Sequence, residues 1–240
     1  MIIKLTRKST AGKGGFFTRA LDKFLDHKAR GSIRKRKRTI RPSEIGYCLR
    51  NIVMSILNLL PEDVVEPRIQ RIFDNGNSVH TRYLRGYLKF LDCRPLDVEV
   101  EKDGKMEWVE CVEQRFEDKE LWLKGSPDAI IHNPEDGLDY IFELKSIKQE
   151  QFNKLNGPLI EHIYQAYVYM HMTGIPRALI LYENKNTQEI KEFIVTRDEK
   201  LMIEVLNKIK SVIKYVTEYE TTRALPPKCH DRYCGACKLA

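Results

Sequence analysis

The sequence predicts an α/β domain built on one central mixed β-sheet with helices on its faces. Apolar and charged residues alternate with a period of two over 96–100 and 107–113, as they do in half-exposed antiparallel strands. The run 178–182 is continuously apolar and short enough to be a buried strand. Apolar residues recur at helical spacing before and after these strands, which gives the order helix, helix, strand meander, helix, strand, strand, helix.

Positive charge is concentrated at the N-terminus. Residues 1–41 hold 14 Lys and Arg against 2 Asp and Glu, whereas 42–240 hold 27 against 32. The densest block is a run of five cations, Arg34, Lys35, Arg36, Lys37 and Arg38. Such a block repels itself and suits a polyanion, so we expect residues 1–41 to form a basic arm that contacts DNA. A solubilising tail is the alternative. A short amphipathic helix predicted over 16–29 could dock on the body or on a partner protein.

Composition bounds the remaining classes. Hydrophobic residues make up 42% of the whole chain, so 42–240 can form one domain with a sizeable core. No run of 18 apolar residues is present, and the first residues lack the apolar core of a signal peptide, so we expect a soluble cytoplasmic protein without a membrane partner. Disulfides are disfavoured in that setting, and the crowding of three of the six cysteines into the last dozen residues indicates a metal.

Two helices are expected before the strands. Ser43 is a candidate N-cap for a helix that runs to about residue 60, stops before Pro61 and carries Cys48 in its first turns. A second helical stretch, 67–92, places four side chains on one side: Phe73, His80, Leu84 and Tyr87.

The second half alternates strands and helices. Strands are predicted over 121–124, 128–131, 140–147, 178–182 and 189–195, and a helix over 161–173 that ends at Gly174. Asp198 can cap a long final helix with a buried stripe of Leu201, Val205, Ile209, Val212 and Val216. Cys93 and Cys111 are expected to be buried structural thiols.

The candidate site lies between two of these strands. Asp128 follows the turn 125–127, and a hairpin would bring it near Glu143 on the next strand. Because side chains alternate along a strand, Glu143 and Lys145 share one face while Phe142 and Leu144 take the other. Two carboxylates beside a lysine can hold a divalent metal that activates water against a phosphate. The alternative is an edge hairpin with ordinary surface charges.

Four short motifs occur in a fixed order around this hairpin: 76–80 ending in His80, 125–128 ending in Asp128, 143–145, and 165–169 bounded by Gln165 and Tyr169. Together they resemble the RecB-like branch of the PD-(D/E)XK nuclease superfamily. The resemblance implies a restriction-endonuclease-like core. It also implies that Asp128, Glu143 and Lys145 are catalytic.

The resemblance further implies a metal site. His80, Asp128, Glu143 and the Leu144 carbonyl would ligate Mg²⁺ or Mn²⁺, and one imidazole biases the site towards Mn²⁺. The metal would lower the pKa of bound water and neutralise charge on the phosphate, while Lys145 orients the water and stabilises developing charge. Gln165 and Tyr169 would position the DNA strand or the Lys145 side of the site.

The terminal cysteines Cys229, Cys234 and Cys237, with Cys48 far upstream, resemble the iron–sulfur staple of AddB-type and CRISPR-associated RecB-like nucleases. This implies a [4Fe-4S] cluster in a C-terminal metal-binding tail. The family usually places Cys-x-x-Cys first and the longer gap second, whereas here the longer gap comes first. A Cys₄ zinc site, or a Cys₃His site with His230, therefore stays open.

These features predict a metal-dependent DNA nuclease, most simply an exonuclease that acts on DNA ends or single strands. A structure-specific or nicking endonuclease could use the same residues. A non-catalytic nucleic-acid-binding subunit is the third alternative. The length of the chain and its lack of helicase motifs suggest a stand-alone enzyme of the kind found in bacteriophages or beside CRISPR systems.

Overall fold

A computed structural model of the protein describes residues 15–31, 38–61, 65–231 and 234–239. The described residues divide into two units, those within 1–35 and 61–77, and those within 36–60 and 78–240. Arg34, Lys35, Arg36 and Lys37, predicted to bind DNA, lie outside the described residues. Arg38 is described and exposed, and its guanidinium donates a hydrogen bond to Glu220 at 2.6 Å.

The first unit contains helix α1, Phe16–Gly31, and the larger part of α3, Pro67–Thr81. Helix α1 is the amphipathic helix expected from the sequence. Within the unit Leu25 is buried, and Arg71 Nη1 donates to Asp22 Oδ1 at 2.6 Å.

The predicted helix over 43–60 is wrong in its first half. Pro42–Glu44 forms a single 3₁₀ turn, and helix α2, Leu49–Ile56, begins only after Cys48, which occupies its N-cap position. Ser43 therefore caps no α-helix, and Cys48 precedes the first turn. Within the break the backbone at Gly46 approaches a later segment closely, because a Cβ added there would lie 2.4 Å from the Cβ of Glu161. The loop packs directly against a later helix at this point.

The helical stretch after α3 changes its hydrogen-bonding pattern. A π-helical segment, Arg82–Gly86, follows α3 and leads into a 3₁₀ segment, Tyr87–Phe90. Leu84 is buried, whereas Phe73 and Tyr87 are about half exposed, so the core covers only part of the predicted set. A π-helical turn inserts an extra residue and rotates the following side chains relative to an α-helical pattern.

The predicted mixed sheet is confirmed, with four strands in the order β5-β6-β7-β8. Strand β6 is parallel to β7, and the other pairs are antiparallel. Two separate hairpins precede it, and isolated bridges join residues beside the first hairpin to the edge of the sheet, Pro95 to Ile131 and Val112 to Ala129. The strands are β1 Asp97–Lys102, β2 Lys105–Glu110, β3 Phe116–Asp118, β4 Leu123–Gly125, β5 Ala129–Asn133, β6 Leu138–Ile147, β7 Arg177–Asn184 and β8 Ile190–Thr196.

Helices flank this sheet in the second half of the chain: α4 Gln149–Asn153, α5 Ile160–Thr173, α6 Glu199–Thr222 and α7 Gly235–Lys238. The Asp198 side chain caps α6 by accepting a hydrogen bond from the Leu201 amide at 2.9 Å, as predicted. Four members of the predicted stripe are buried, together with Met202, whereas Leu201 is only partly buried. Across the described ranges, no helix combines the length and apolarity needed to cross a bilayer.

Apolar side chains pack on both faces of β6 and β7. Ile141 and Ile180 belong to the larger cluster, and Phe142, Leu144 and Leu181 belong to the cluster on the other face. Core packing thus follows the period of two in the strand sequence.

The two cysteines outside the terminal group differ in burial. Cys111 is fully buried, as predicted. Cys93 is only half-buried, with its sulfur 3.9 Å from Asn133 Oδ1, so the prediction is wrong there. It lies in a bend after the 3₁₀ segment, where it packs against a core cluster without being enclosed by it.

Candidate functional site

Strand β6 positions a buried carboxylate beside a lysine. Glu143 is 2% exposed, and Lys145 Nζ donates a hydrogen bond to its Oε2 at 2.9 Å. Both side chains lie on the β6 face opposite Phe142 and Leu144, as the alternation requires. The strand geometry itself therefore brings the ammonium to the carboxylate.

Helix α5 contributes an amide that bridges this pair. Gln165 Oε1 accepts from Lys145 Nζ at 3.0 Å, and its Nε2 donates to Glu143 Oε2 at 3.0 Å. One turn later, the Tyr169 hydroxyl donates to the Ser126 carbonyl at 2.7 Å. Gln165 and Tyr169 are both buried, and their side chains bond to groups of the protein itself.

The close approach at Gly125 belongs to the same contact. A Cβ at this position would lie 3.1 Å from the Tyr169 hydroxyl and 2.6 Å from Pro42 Cδ. Glycine therefore lets the turn before Asp128 press against α5.

Asp128 joins the start of β5 to β6 and to the end of α3. Its Oδ2 accepts from the Leu144 amide at 2.7 Å, and its Oδ1 lies 3.1 Å from His80 Nδ1. The structure thus brings three predicted site residues, His80, Asp128 and Leu144, into one chain of contacts. Glu143 lies next to Leu144 on β6.

Burial and charge act together on these groups. Burial raises the pKa of Glu143 to about 7, although the neighbouring ammonium acts in the opposite direction. Burial alone would lower the pKa of Lys145, but the charges of Glu143 and Asp128 together with the hydrogen bond to Glu143 outweigh it, and the pKa is raised. The hydrogen bond to Asp128 raises the pKa of His80. Lys145 is therefore cationic at neutral pH. The carboxyl groups of Asp128 and Glu143 would stabilise a further cation placed beside them.

One oxygen of this site lacks a partner among the described residues. Glu143 Oε1 is buried and accepts no hydrogen bond there. An unsatisfied buried carboxylate oxygen is costly, and a bound cation would remove that cost. Oxygen donors with one imidazole also suit Mg²⁺ or Mn²⁺. The orphan oxygen and the donor types therefore fit a divalent ion.

The four terminal-group cysteines form a second candidate metal site. The sulfurs of Cys48, Cys229, Cys234 and Cys237 all lie within 4.8 Å of one another. Within the described ranges, they are the one group of three or more His, Cys, Asp or Glu side chains close enough to hold an ion as they stand. This group does not include His230, which is exposed.

Two polar contacts beside the site were not predicted. Arg82, two residues after His80, donates a hydrogen bond to the buried carboxylate of Glu183 on β7. His162 on α5 lies 2.7 Å from the Tyr182 hydroxyl. An acidic residue at the end of an apolar strand was the one sequence signal for Glu183, since buried carboxylates need partners.

Comparison with known proteins finds similarity at the level of the fold. No family model and no curated protein matches the sequence. The structure of an alkaline exonuclease from Laribacter hongkongensis matches with a TM-score of 0.50 and 12% identity, covering 82% of this chain and 96% of that one.

Two further structures match with slightly lower TM-scores. The Laribacter exonuclease in complex with dAMP has a TM-score of 0.46 at 12% identity, covering 78% of this chain and 93% of that one. A phage-related exonuclease from Haemophilus somnus 129PT has a TM-score of 0.49 at 14% identity, covering 78% and 96%. The first match shows a fold similar to that of the alkaline exonuclease structure.

Proposed function

We propose that the protein is a divalent-metal-dependent DNA nuclease of the cytoplasm that hydrolyses phosphodiester bonds as an exonuclease on DNA ends or single strands. The observation that carries the proposal is the contact network of Glu143, Lys145 and Gln165, next to Asp128 and His80. The alkaline exonuclease fold supports it at the level of architecture.

The metal would be held by His80, Asp128, Glu143 and the Leu144 carbonyl. When bound, Mg²⁺ or Mn²⁺ lowers the pKa of a water molecule and neutralises charge on the attacked phosphate. Glu143 Oε1 is the oxygen of this carboxylate that could bind the cation, because Oε2 already accepts hydrogen bonds from Lys145 and Gln165.

The residues of the chain supply orientation and charge. Lys145 can donate a hydrogen bond to the attacking water and stabilise the negative charge that develops on the phosphoryl oxygens. Gln165 holds Lys145 and Glu143 in fixed relative positions through its two hydrogen bonds. The Leu144 amide fixes one oxygen of Asp128, so the second oxygen faces His80.

The same residues could serve a structure-specific or nicking endonuclease, and substrate access separates the two activities. An exonuclease needs a free end. We expect degradation of linear single-stranded DNA in the presence of Mg²⁺ or Mn²⁺ and no cleavage of covalently closed circular single strands. Cleavage of the circles would favour the endonuclease.

Substitution of Lys145 tests the site itself. Lys145→Ala should abolish cleavage while DNA affinity, measured by fluorescence anisotropy, stays nearly unchanged. Lys210→Ala, an exposed lysine on α6, is the matched control and should cleave like the unaltered protein. Equal cleavage by the Lys145 variant and the control would contradict the site. Absence of activity in all three would favour the non-catalytic binding subunit.

A further inference from the structure

The spacing of the four cysteine sulfurs bears on which metal they bind. Cys48 Sγ and Cys237 Sγ are 3.6 Å apart, and all four sulfurs lie within 4.8 Å of one another. Zinc bonds thiolate sulfur at about 2.3 Å in a tetrahedron, which places neighbouring sulfurs roughly 3.8 Å apart. The quartet is therefore close to the size of a single zinc site.

A four-iron cluster needs a wider quartet. Each cysteine sulfur of a [4Fe-4S] cluster binds a different iron. Two such sulfurs are separated by two iron–sulfur bonds and the distance between two irons, whereas around zinc the two bonds meet at one atom. Four sulfurs that include a pair at 3.6 Å cannot surround the cluster unless they move apart.

Contacts of the surrounding backbone hold the cysteine-bearing segments close to one another. Cys48 is held at the N-cap of α2 by a loop whose Gly46 packs directly on Glu161. On the other side, the Cys229 amide donates to Cys237 Sγ at 3.3 Å, and the Cys237 amide donates to the Cys234 carbonyl at 3.2 Å.

A further contact ties the C-terminal segment to α2. Arg50 Nη1, two residues after Cys48, donates to the Pro226 carbonyl at 2.8 Å. A wider quartet would need the cysteine side chains to rotate away from one another, or α2 and the C-terminal segment to separate against these contacts.

We infer that Cys48, Cys229, Cys234 and Cys237 bind one zinc ion in a closed tetrahedral site. This revises the iron–sulfur cluster that the family resemblance implied, and the reversed order of the cysteine gaps agrees with the revision. Four thiolates leave no coordination position open, so the ion has a structural role. It joins residue 48 to the C-terminal segment, so its binding energy contributes to folding.

Metal analysis of the full chain, purified without air, tests the inference. We expect a colourless protein with one zinc per chain and no acid-labile sulfide. The Glu143→Gln variant should keep the same zinc content, because it alters the carboxylate site and leaves the cysteines intact. Brown protein with four irons and sulfide per chain would overturn the inference, and so would protein free of both metals.

Variants locate the ion. Cys229→Ser should lose the zinc and unfold at a lower temperature, whereas Cys93→Ser, a half-buried cysteine outside the quartet, should retain it. Because Cys229→Ser may not fold, a chelator titration of the unaltered protein gives a second measurement, in which zinc release and loss of thermal stability should coincide. Zinc release without any loss of stability would overturn the structural role. The nuclease assay is independent of both results.

Discussion

Replacing Arg82 with methionine should destabilise the protein far more than its position on an exposed turn suggests. Its partner Glu183 is only 3% exposed, whereas Arg82 itself is 40% exposed. Methionine keeps the apolar part of the arginine side chain but removes the guanidinium. The Glu183 carboxylate would then stay buried without its cation.

The asymmetry in burial sets the magnitude. Removing one partner of a fully buried ion pair costs about 3–5 kcal/mol, and because Arg82 is partly exposed we expect about 2–4 kcal/mol for Arg82→Met. Glu183→Gln should cost only about 1 kcal/mol, because the half-exposed guanidinium can be hydrated. In a chain of this length, about 2–4 °C of melting temperature corresponds to each kcal/mol.

Denaturant unfolding of the single and double variants measures these terms. The double variant Arg82→Met with Glu183→Gln should be more stable than Arg82→Met alone, because the second change removes the unpaired charge. Arg85→Met is the control: its pair with Glu113 is exposed on both sides and should be worth less than about 1 kcal/mol. If Arg82→Met costs no more than this control, or if Glu183→Gln fails to rescue it, the reasoning is refuted.

Three other predictions concern separate parts of the chain. Neutralising residues 34–37 should weaken DNA binding and flatten its salt dependence, because fewer counterions are released; an unchanged slope would leave the block as a solubilising or protein-docking segment. Burial lowers the pKa of His162 to about 4, below its unfolded value of about 6.5, so the unfolded chain binds more protons in this interval. Stability should therefore fall by about 1–2 kcal/mol between pH 7 and 5, and His162→Gln should reduce that loss. Gly46→Ala should lower the melting temperature, because the new Cβ would collide with Glu161. Gly76→Ala, in an open helical position, should raise the free energy of unfolding by about 0.5–1 kcal/mol.

The elements that the sequence predicted well carry their signals locally. The period of two in residues 140–147 is enough to place Glu143 and Lys145 on one face, and Asp198 caps α6 through an amide only three residues away. The break before Cys48 had no such local signal, and the close contact found within it joins Gly46 to a helix more than 100 residues later.

The candidate site shows the same division. The ordered motifs indicated which residues to bring together, and the contacts of Asp128 with Leu144 and His80 agree with that set. The two roles open to Gln165 could not be separated from the sequence, because the choice depends on whether its amide faces solvent or the Glu143 carboxylate. Packing of α5 on β6 turns the amide towards the Glu143 carboxylate.

The arrangement also explains how two carboxylates are tolerated so close together. Asp128 accepts a hydrogen bond from the Leu144 amide and contacts His80, and Glu143 accepts from the Lys145 ammonium and the Gln165 amide. These contacts involve the other three carboxylate oxygens of the pair. Among the described residues, Glu143 Oε1 alone of the four is buried without a hydrogen bond. The free energy that this oxygen costs in the folded chain is the free energy that a bound divalent cation would recover, so the same burial that strains the site favours metal binding there.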